Sequence, residues 1–210
     1  MASESPAGVV HVVDDDEAMR HSLLFLLECD CIEARAYESA LAFLERLPSM
    51  ERGCIVTDIR MPGMSGLELV AKLKEQGVSD PVIVITGHGD VPLAVEAMKA
   101  GVSDFLEKPF DDQQLLSAVR RGLDAGRSIA AEEAERREVE ERSAALSGRE
   151  REVLDGLVAG KPNKIIAFDL GISARTVEIY RANVMTKMQA KSLSELVRMT
   201  LAVQPRRAAS

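Results

Sequence analysis

Aromatic residues are scarce in this chain of 210: two Tyr, five Phe and no Trp. A core must therefore be assembled from Leu, Val, Ile and Ala, within an apolar fraction of 46%. The three cysteines, Cys29, Cys31 and Cys54, are too few and too oddly numbered for a disulfide framework. The Cys29-Asp30-Cys31 spacing lacks the companion ligands of a zinc site, so all three read as reduced core thiols. No pair among the three histidines has metal-ligand spacing. No stretch approaches the roughly 18 uncharged apolar residues of a membrane span, which excludes a membrane partner. No basic segment followed by an apolar one opens the chain, so a cytoplasmic location is the expectation. Internal repeats are absent.

Charge is unevenly spread. Residues 1–125 hold 11 basic and 22 acidic side chains, residues 126–146 hold 4 and 6, and residues 147–210 hold 11 and 6. The formal net charge of −8 thus hides an acidic first part and a basic tail. Only the tail suits an anionic polymer such as double-stranded DNA. The length favours two small domains over one.

What is present is a set of apolar runs that stop at ionisable or hydroxyl residues. Val9–Val13 runs into Asp14, Asp15 and Asp16, and Cys54–Thr57 into Asp58. Val82–Ile85 runs into Thr86, and Phe105-Leu106-Glu107 into Lys108 and Pro109. Helical periodicity intervenes at Met19, Leu23, Leu26 and Leu27, at Leu41 and Leu44, at Leu67, Val70 and Leu73, and at Val91, Ala94, Val95 and Met98. A fainter strand near 31–36 reads as an edge. Five strands and five helices predict a doubly wound α/β domain over residues 1–122 with both sheet faces covered. In such sheets the carboxyl ends of the strands line one crevice, where ligands bind. Ser65–Glu68 reads as a capping box and Gly101 as a helix stop.

Residues 111–145 contain no Pro and predict one helix. Its apolar stripe at Leu115, Leu116, Val119 and Leu123 gives way to almost wholly polar sequence, the character of a helix that bridges domains. Residues 123–146 are read as a helical linker. Ser147–Glu150 is a second capping box and opens an all-α domain, 147–210, with four helices near 148–159, 163–170, 174–188 and 192–202. Gly171-Ile172-Ser173 between the middle pair is a helix-turn-helix signal.

Carboxylates gathered with one hydroxyl and one ammonium suit a divalent cation and a phosphoryl group. Asp58 is the candidate nucleophile, giving an acyl phosphate, and a metal must offset repulsion between the two anions. Asp14, Asp15, Asp58 and a backbone carbonyl near Arg60 would hold Mg²⁺ through oxygen. Lys108 supplies a compact positive charge for a phosphoryl oxygen, and Thr86 a hydroxyl for the attached group. Arg60 stands two residues past the nucleophile, where many hydrolases with an aspartyl intermediate carry their acid–base. The acyl phosphate should therefore outlast a catalytic cycle, as in a regulator and not a turnover enzyme. A phosphatase and a protein-binding adaptor are the alternatives. His11 reads as a packed core residue; His88 either tunes the lifetime of the phosphate or faces water.

Laid out at 100° per residue, 174–188 places Val177, Val184 and Met188 on a core face, flanked by Tyr180 and Met185. Arg175, Glu178, Ile179, Ala182 and Thr186 fall opposite, with Thr176 in the first turn beside them. An exposed Ile179 suits a thymine methyl; Arg175 can reach guanine or phosphate, and Glu178 can accept from cytosine. Lys164, Arg181, Lys187 and Lys191 are placed as phosphate contacts.

VVDDDE, VTDIRMPGMSG, VITGHGD and DFLEKPF resemble the receiver domain of bacterial two-component response regulators. LSGREREVLDGLVAG, NKIIAFDLGIS and TVEIYRANVMTKM resemble the DNA-binding domain of the LuxR/FixJ class. The resemblance implies a sheet order of 2-1-3-4-5 and a cis Lys108-Pro109 bond. It makes Asp58 the phosphoacceptor, Asp14 and Asp15 the acidic pair, Thr86 and Lys108 the switch residues, and Phe105 an aromatic that turns inward. It further implies a sensor histidine kinase as donor, homodimerisation through the face near 91–107, and activation of transcription by RNA polymerase. With ITGHGDVPLAVEAMKAG included, nearly the whole chain is similar to the FixJ class, which implies nitrogen-fixation genes as targets.

Overall fold

The computed structural model describes residues 8–87 and 91–203. The β-branched runs form the interior of a parallel sheet: β1 (Val9–Val13), β3 (Gly53–Asp58) and β4 (Val82–Thr86) are buried along their whole length. The edge strands β2 (Ala34–Tyr37) and β5 (Asp104–Glu107) are only half covered. The order is β2-β1-β3-β4-β5, all parallel, as expected. The edge strand β2 starts later than the 31–36 expectation. Cys31 adopts a left-handed φ of 57° in the turn that precedes it.

Alternation along the strands sorts the core into two layers. Val10, Val12, Ile83 and Ile85 join Leu23 and Leu27 of α1 (Glu17–Cys29) and Leu115 and Val119 of α5 (Asp112–Ala144). Val13, Ile55, Val82 and Val84 join Phe43 of α2 (Ala40–Arg46), Leu69 and Leu73 of α3 (Gly66–Glu75) and Ala97 of α4 (Val91–Ala100). Each such side chain contributes about 1.5–3 kcal/mol by burial. Asp16 caps α1, accepting from the N–H groups of Ala18 and Met19. The Ser65–Glu68 capping box opens α3, and Gly101, at φ 78°, follows α4.

The chain divides into two compact units, residues 1–131 and 132–210, with the dividing line inside α5. The second unit packs α6 (Gly148–Val158), α7 (Asn163–Leu170), α8 (Ala174–Lys187) and α9 (Leu193–Val203) around Leu154, Ile166, Val177, Val184, Met188 and Leu196. Val139 of α5 and Leu146 belong to the same core. The Ser147–Glu150 box opens α6; Gly171, at φ 65°, ends α7, and Ser173 caps α8. This is the expected helix-turn-helix.

His11 is buried in the strand, as read from sequence. Its Nε2 lies 2.9 Å from the Glu51 carbonyl, which can only accept, so Nε2 carries the proton. Nδ1 stands 3.3 Å from the Tyr37 hydroxyl, and Phe43 packs edge-on to both rings. Burial pushes the imidazole below its ordinary value of 6.5, despite the Glu51 carbonyl. The folded state therefore binds this proton less readily than the unfolded chain. Its contribution is complete above pH 6.5 and is lost as pH falls below it. The melting temperature should drop more steeply from pH 7.5 to 5.5 in the wild type than in His11→Leu, by calorimetry. Parallel slopes would contradict this account.

Candidate functional site

At the carboxyl ends of β1, β3 and β4 the chain delivers three buried polar residues, Asp14, Asp58 and Thr86. Strand register explains their convergence. Val13 lies beside Thr57, and Asp58 beside Ile85, so each falls within one residue of a common level. Lys108, the residue after β5, closes the group. Its Nζ donates to Asp58 Oδ1 at 2.7 Å and stands 3.6 Å from Asp14 Oδ2. Its backbone N–H donates to the Thr86 carbonyl at 2.8 Å, and the Lys108-Pro109 bond is cis, as expected.

Both carboxylates are withdrawn from water, Asp14 at 2% and Asp58 at 8% exposure. Asp58 Oδ2 accepts the Arg60 N–H at 2.6 Å, and Asp14 Oδ1 accepts the Asp16 N–H at 2.8 Å. Asp14 Oδ2 is buried without a hydrogen-bond partner. Burial pushes the Asp14 carboxyl above its ordinary range, although the Asp16 N–H and Lys108 oppose that shift. Burial works against the Lys108 charge as well, yet Asp58 and Asp14 outweigh it and hold the ammonium above its usual value. Two carboxylates thus share one ammonium. An orphaned carboxylate oxygen beside a second carboxylate is a donor set that fits a hard divalent cation. Among the described residues no three acidic, His or Cys side chains gather as a metal site, so carbonyl and water oxygens would have to complete one.

The remaining expected residues are more dispersed. Asp15 is exposed. Its carbonyl and that of Asp14 both accept from Arg20 Nη1, at 3.0 and 2.8 Å. The Thr86 hydroxyl donates to the Gly87 carbonyl at 3.4 Å. Phe105 is 40% exposed. His88 lies outside the described residues. Sequence reasoning missed Arg20, and it missed why residue 66 is glycine. A Cβ there would come within 2.2 Å of the Asp58 carbonyl oxygen, so only Gly lets α3 begin against that backbone.

In the second unit α8 buries Val177, Val184 and Met188 and leaves Arg175, Glu178, Ala182 and Thr186 exposed. Ile179 is 56% exposed. Thr176 is half-buried, its hydroxyl 2.8 Å from that of Ser173. The basic residues differ in their engagement. Lys161 pairs with Asp169, Arg149 with Glu152 and Lys187 with the buried Glu150. The Lys187 bond, 2.7 Å long, ties α8 to the capping box of α6 and occupies a charge expected to face phosphate. Among the described residues Lys164, Arg175 and Arg181 have no such carboxylate partner.

Residues 10–120 match the family model for the response regulator receiver domain, and residues 144–200 the model for bacterial regulatory proteins of the luxR family. The chain belongs to the two-component response regulators that couple a receiver domain to a LuxR-type DNA-binding domain. Within that class it is FixJ-like. It is 60% identical over 192 residues to the transcriptional regulatory protein FixJ of Azorhizobium caulinodans, covering 91% of each chain. It is 40% identical to the response regulator TodT of Pseudomonas putida, over 92% of this chain and 86% of that one. Among solved structures, the response regulator StyR matches with a TM-score of 0.80 at 41% identity, covering 92% and 98% of the two chains. Full-length FixJ from B. japonicum matches with 0.59 at 50%, covering 94% and 97%.

The raised Asp14 carboxyl has a consequence for stability. Below its ordinary value of 3.8 the group is protonated in both states and costs nothing. As pH rises above it, the folded chain must ionise the group at a penalty that the unfolded chain does not meet. Asp14→Asn should therefore raise stability at pH 7 by on the order of 1 kcal/mol, the lower end of what an unsatisfied buried polar atom costs. The gain should shrink as pH falls towards 4, followed by urea denaturation. A destabilised variant at pH 7 would overturn the account.

Proposed function

We propose that Asp58 accepts a phosphoryl group from the phosphohistidine of a sensor kinase, and that the modified chain pairs with a second copy and activates transcription from DNA. The observation that carries this reading is Lys108 bonded to Asp58 with the buried Asp14 beside it, at the ends of parallel strands. An Asp58 carboxylate oxygen bonds to phosphorus as the P–N bond of the phosphoimidazole breaks, and the imidazole keeps the electron pair. Asp14, Asp15, Asp58 and the Arg60 carbonyl would hold Mg²⁺, whose chemistry is to offset charge as two anions meet. Lys108 neutralises a phosphoryl oxygen and Thr86 bonds the attached group. Arg60, with no proton to take or give, leaves the acyl phosphate long-lived, as a signal requires.

Val95, Met98 and Phe105 leave apolar surface exposed on α4 and β5, which supports pairing there once Phe105 turns inward. Residues 1–122 act as the receiver, 123–146 as the linker and 147–210 as the DNA reader. Lys164, Arg175 and Arg181 contact the backbone or guanine, while Thr176, Glu178, Ile179 and Ala182 face bases. Lys187 acts within the domain, through Glu150. RNA polymerase is the downstream partner, the setting is cytoplasmic, and the FixJ relatives support nitrogen-fixation genes as targets.

Gel shifts with and without acetyl phosphate and Mg²⁺ test the switch. Phosphorylation should tighten DNA binding at least about tenfold, or 1.4 kcal/mol, and Asp58→Asn should abolish the response. Equal, tight binding by both forms would remove the switch. The DNA contacts separate by salt dependence. Arg181→Ala should weaken binding to any sequence and lower the slope of log K against log salt by about one. Ile179→Ala should leave that slope alone and relax sequence preference, read by fluorescence anisotropy. A salt-independent affinity would point to the adaptor reading.

A further inference from the structure

We propose that Arg20 is the positioning residue of the acidic loop, fixing the backbone of Asp14 and Asp15 so that their carboxylates are presented to a divalent cation. The inference rests on the phosphoryl-site reading and extends it to a residue outside the carboxylate and lysine group.

Several ties hold the β1–α1 connection, among them the Asp14 N–H, which donates to the Tyr37 carbonyl of β2 at 3.2 Å. Asp16 caps α1 through the N–H groups of Ala18 and Met19, and Asp14 Oδ1 takes the Asp16 N–H. Both are local. Arg20 adds one from α1, a single Nη1 bridging two successive carbonyls at 2.8 and 3.0 Å. Successive carbonyls in a strand point in opposite directions, so one donor reaches both only where the chain has left the strand conformation. The bridge thus pins the backbone at the place where β1 ends and the acidic pair begins.

The chemistry of the side chain argues for position over charge. Arg20 stands within six residues of Asp14, Asp15, Asp16 and Glu17, yet among the described residues it forms no ion pair with a carboxylate. Its donor is spent on neutral oxygens. A fixed positive charge beside a cation site is by itself unfavourable, because like charges repel. The two roles therefore predict opposite signs. If Arg20 acts as a charge, removing it tightens Mg²⁺; if it braces the loop, removing it weakens Mg²⁺.

Isothermal titration of MgCl₂ into the full chain decides between them. Arg20→Met should bind Mg²⁺ about tenfold more weakly than wild type, at the lower end of what outer-sphere partners contribute. Arg20→Lys, which offers an ammonium to one carbonyl but lacks the planar fork, should fall between the two. In acetyl phosphate labelling, the Mg²⁺ concentration for half-maximal rate should rise by the same factor in Arg20→Met, while the rate at saturating Mg²⁺ approaches wild type. Equal or tighter Mg²⁺ binding by Arg20→Met overturns the assignment and leaves the phosphoryl-site reading intact. Should that variant fail to fold, Arg20→Lys decides alone: weaker binding supports the brace, equal or tighter binding overturns it. A wild-type chain that takes up no Mg²⁺ overturns both readings together.

Discussion

One ammonium serves two buried carboxylates, and the rest of the first unit is arranged around that imbalance. Unit charges about 4 Å apart in a medium of effective permittivity near 20 interact with about 4 kcal/mol. Lys108 attracts both Asp58, at 2.7 Å, and Asp14, at 3.6 Å, while the two carboxylates repel each other and burial penalises every charge in the group. Desolvation offsets much of that attraction, and Asp14 keeps one oxygen without a hydrogen-bond partner. A surface built for stability alone would not retain it. What holds it is the apolar sheet on either side, where β1, β3 and β4 leave no solvent between them. The core stabilises a pocket that costs energy, a common bargain where a protein must bind something.

The second unit handles charge differently. Its surplus is positive, and several of its cations are quenched locally: Lys161 by Asp169, Arg149 by Glu152, Lys187 by Glu150. Exposed ion pairs of this kind contribute little to stability. Glu150 is the exception, because it is buried and also closes the capping box of α6. Lys187 and the Ser147 N–H hold its carboxyl below the ordinary range, so it stays charged and keeps α6 fastened to α8. The cations left unpaired around α7 and α8 are then the ones with electrostatic reach. Ile179 is exposed as well, and no fold requirement explains an apolar side chain there.

Most of the architecture was legible because its signals are local and periodic. Short continuous apolar runs ending at Asp14, Asp58, Thr86 and Lys108 imply a shared level once the strands are parallel. Both capping boxes were visible as Ser-x-x-Glu. The buried and exposed faces of α8 followed from 3.6-residue spacing alone. What escaped was contact between a side chain and a backbone. The bridge from Arg20 has no sequence pattern of its own, although helical side chains lean towards the N-terminus and a second-turn arginine can reach the preceding loop. Gly66 gave no turn signal; its role is a close approach to the Asp58 carbonyl, visible only when α3 is seated. Lys187 looked like a phosphate contact because Glu150 lies 37 residues away in sequence.

The site also explains why the proposed switch needs no long relay. Thr86 ends β4, pairs with Glu107 of β5, and accepts the Lys108 N–H through its carbonyl. One ladder step therefore separates Thr86 from an edge strand. That strand alternates between half-buried and exposed positions, so Phe105 stands on its outer side while Leu106 packs inward. Under the proposed function, a movement of Thr86 towards a group on Asp58 would be felt first at β5, the strand that carries the exposed Phe105. Two states that differed in what the face near α4 and β5 presents would supply the differential contact that any population shift requires.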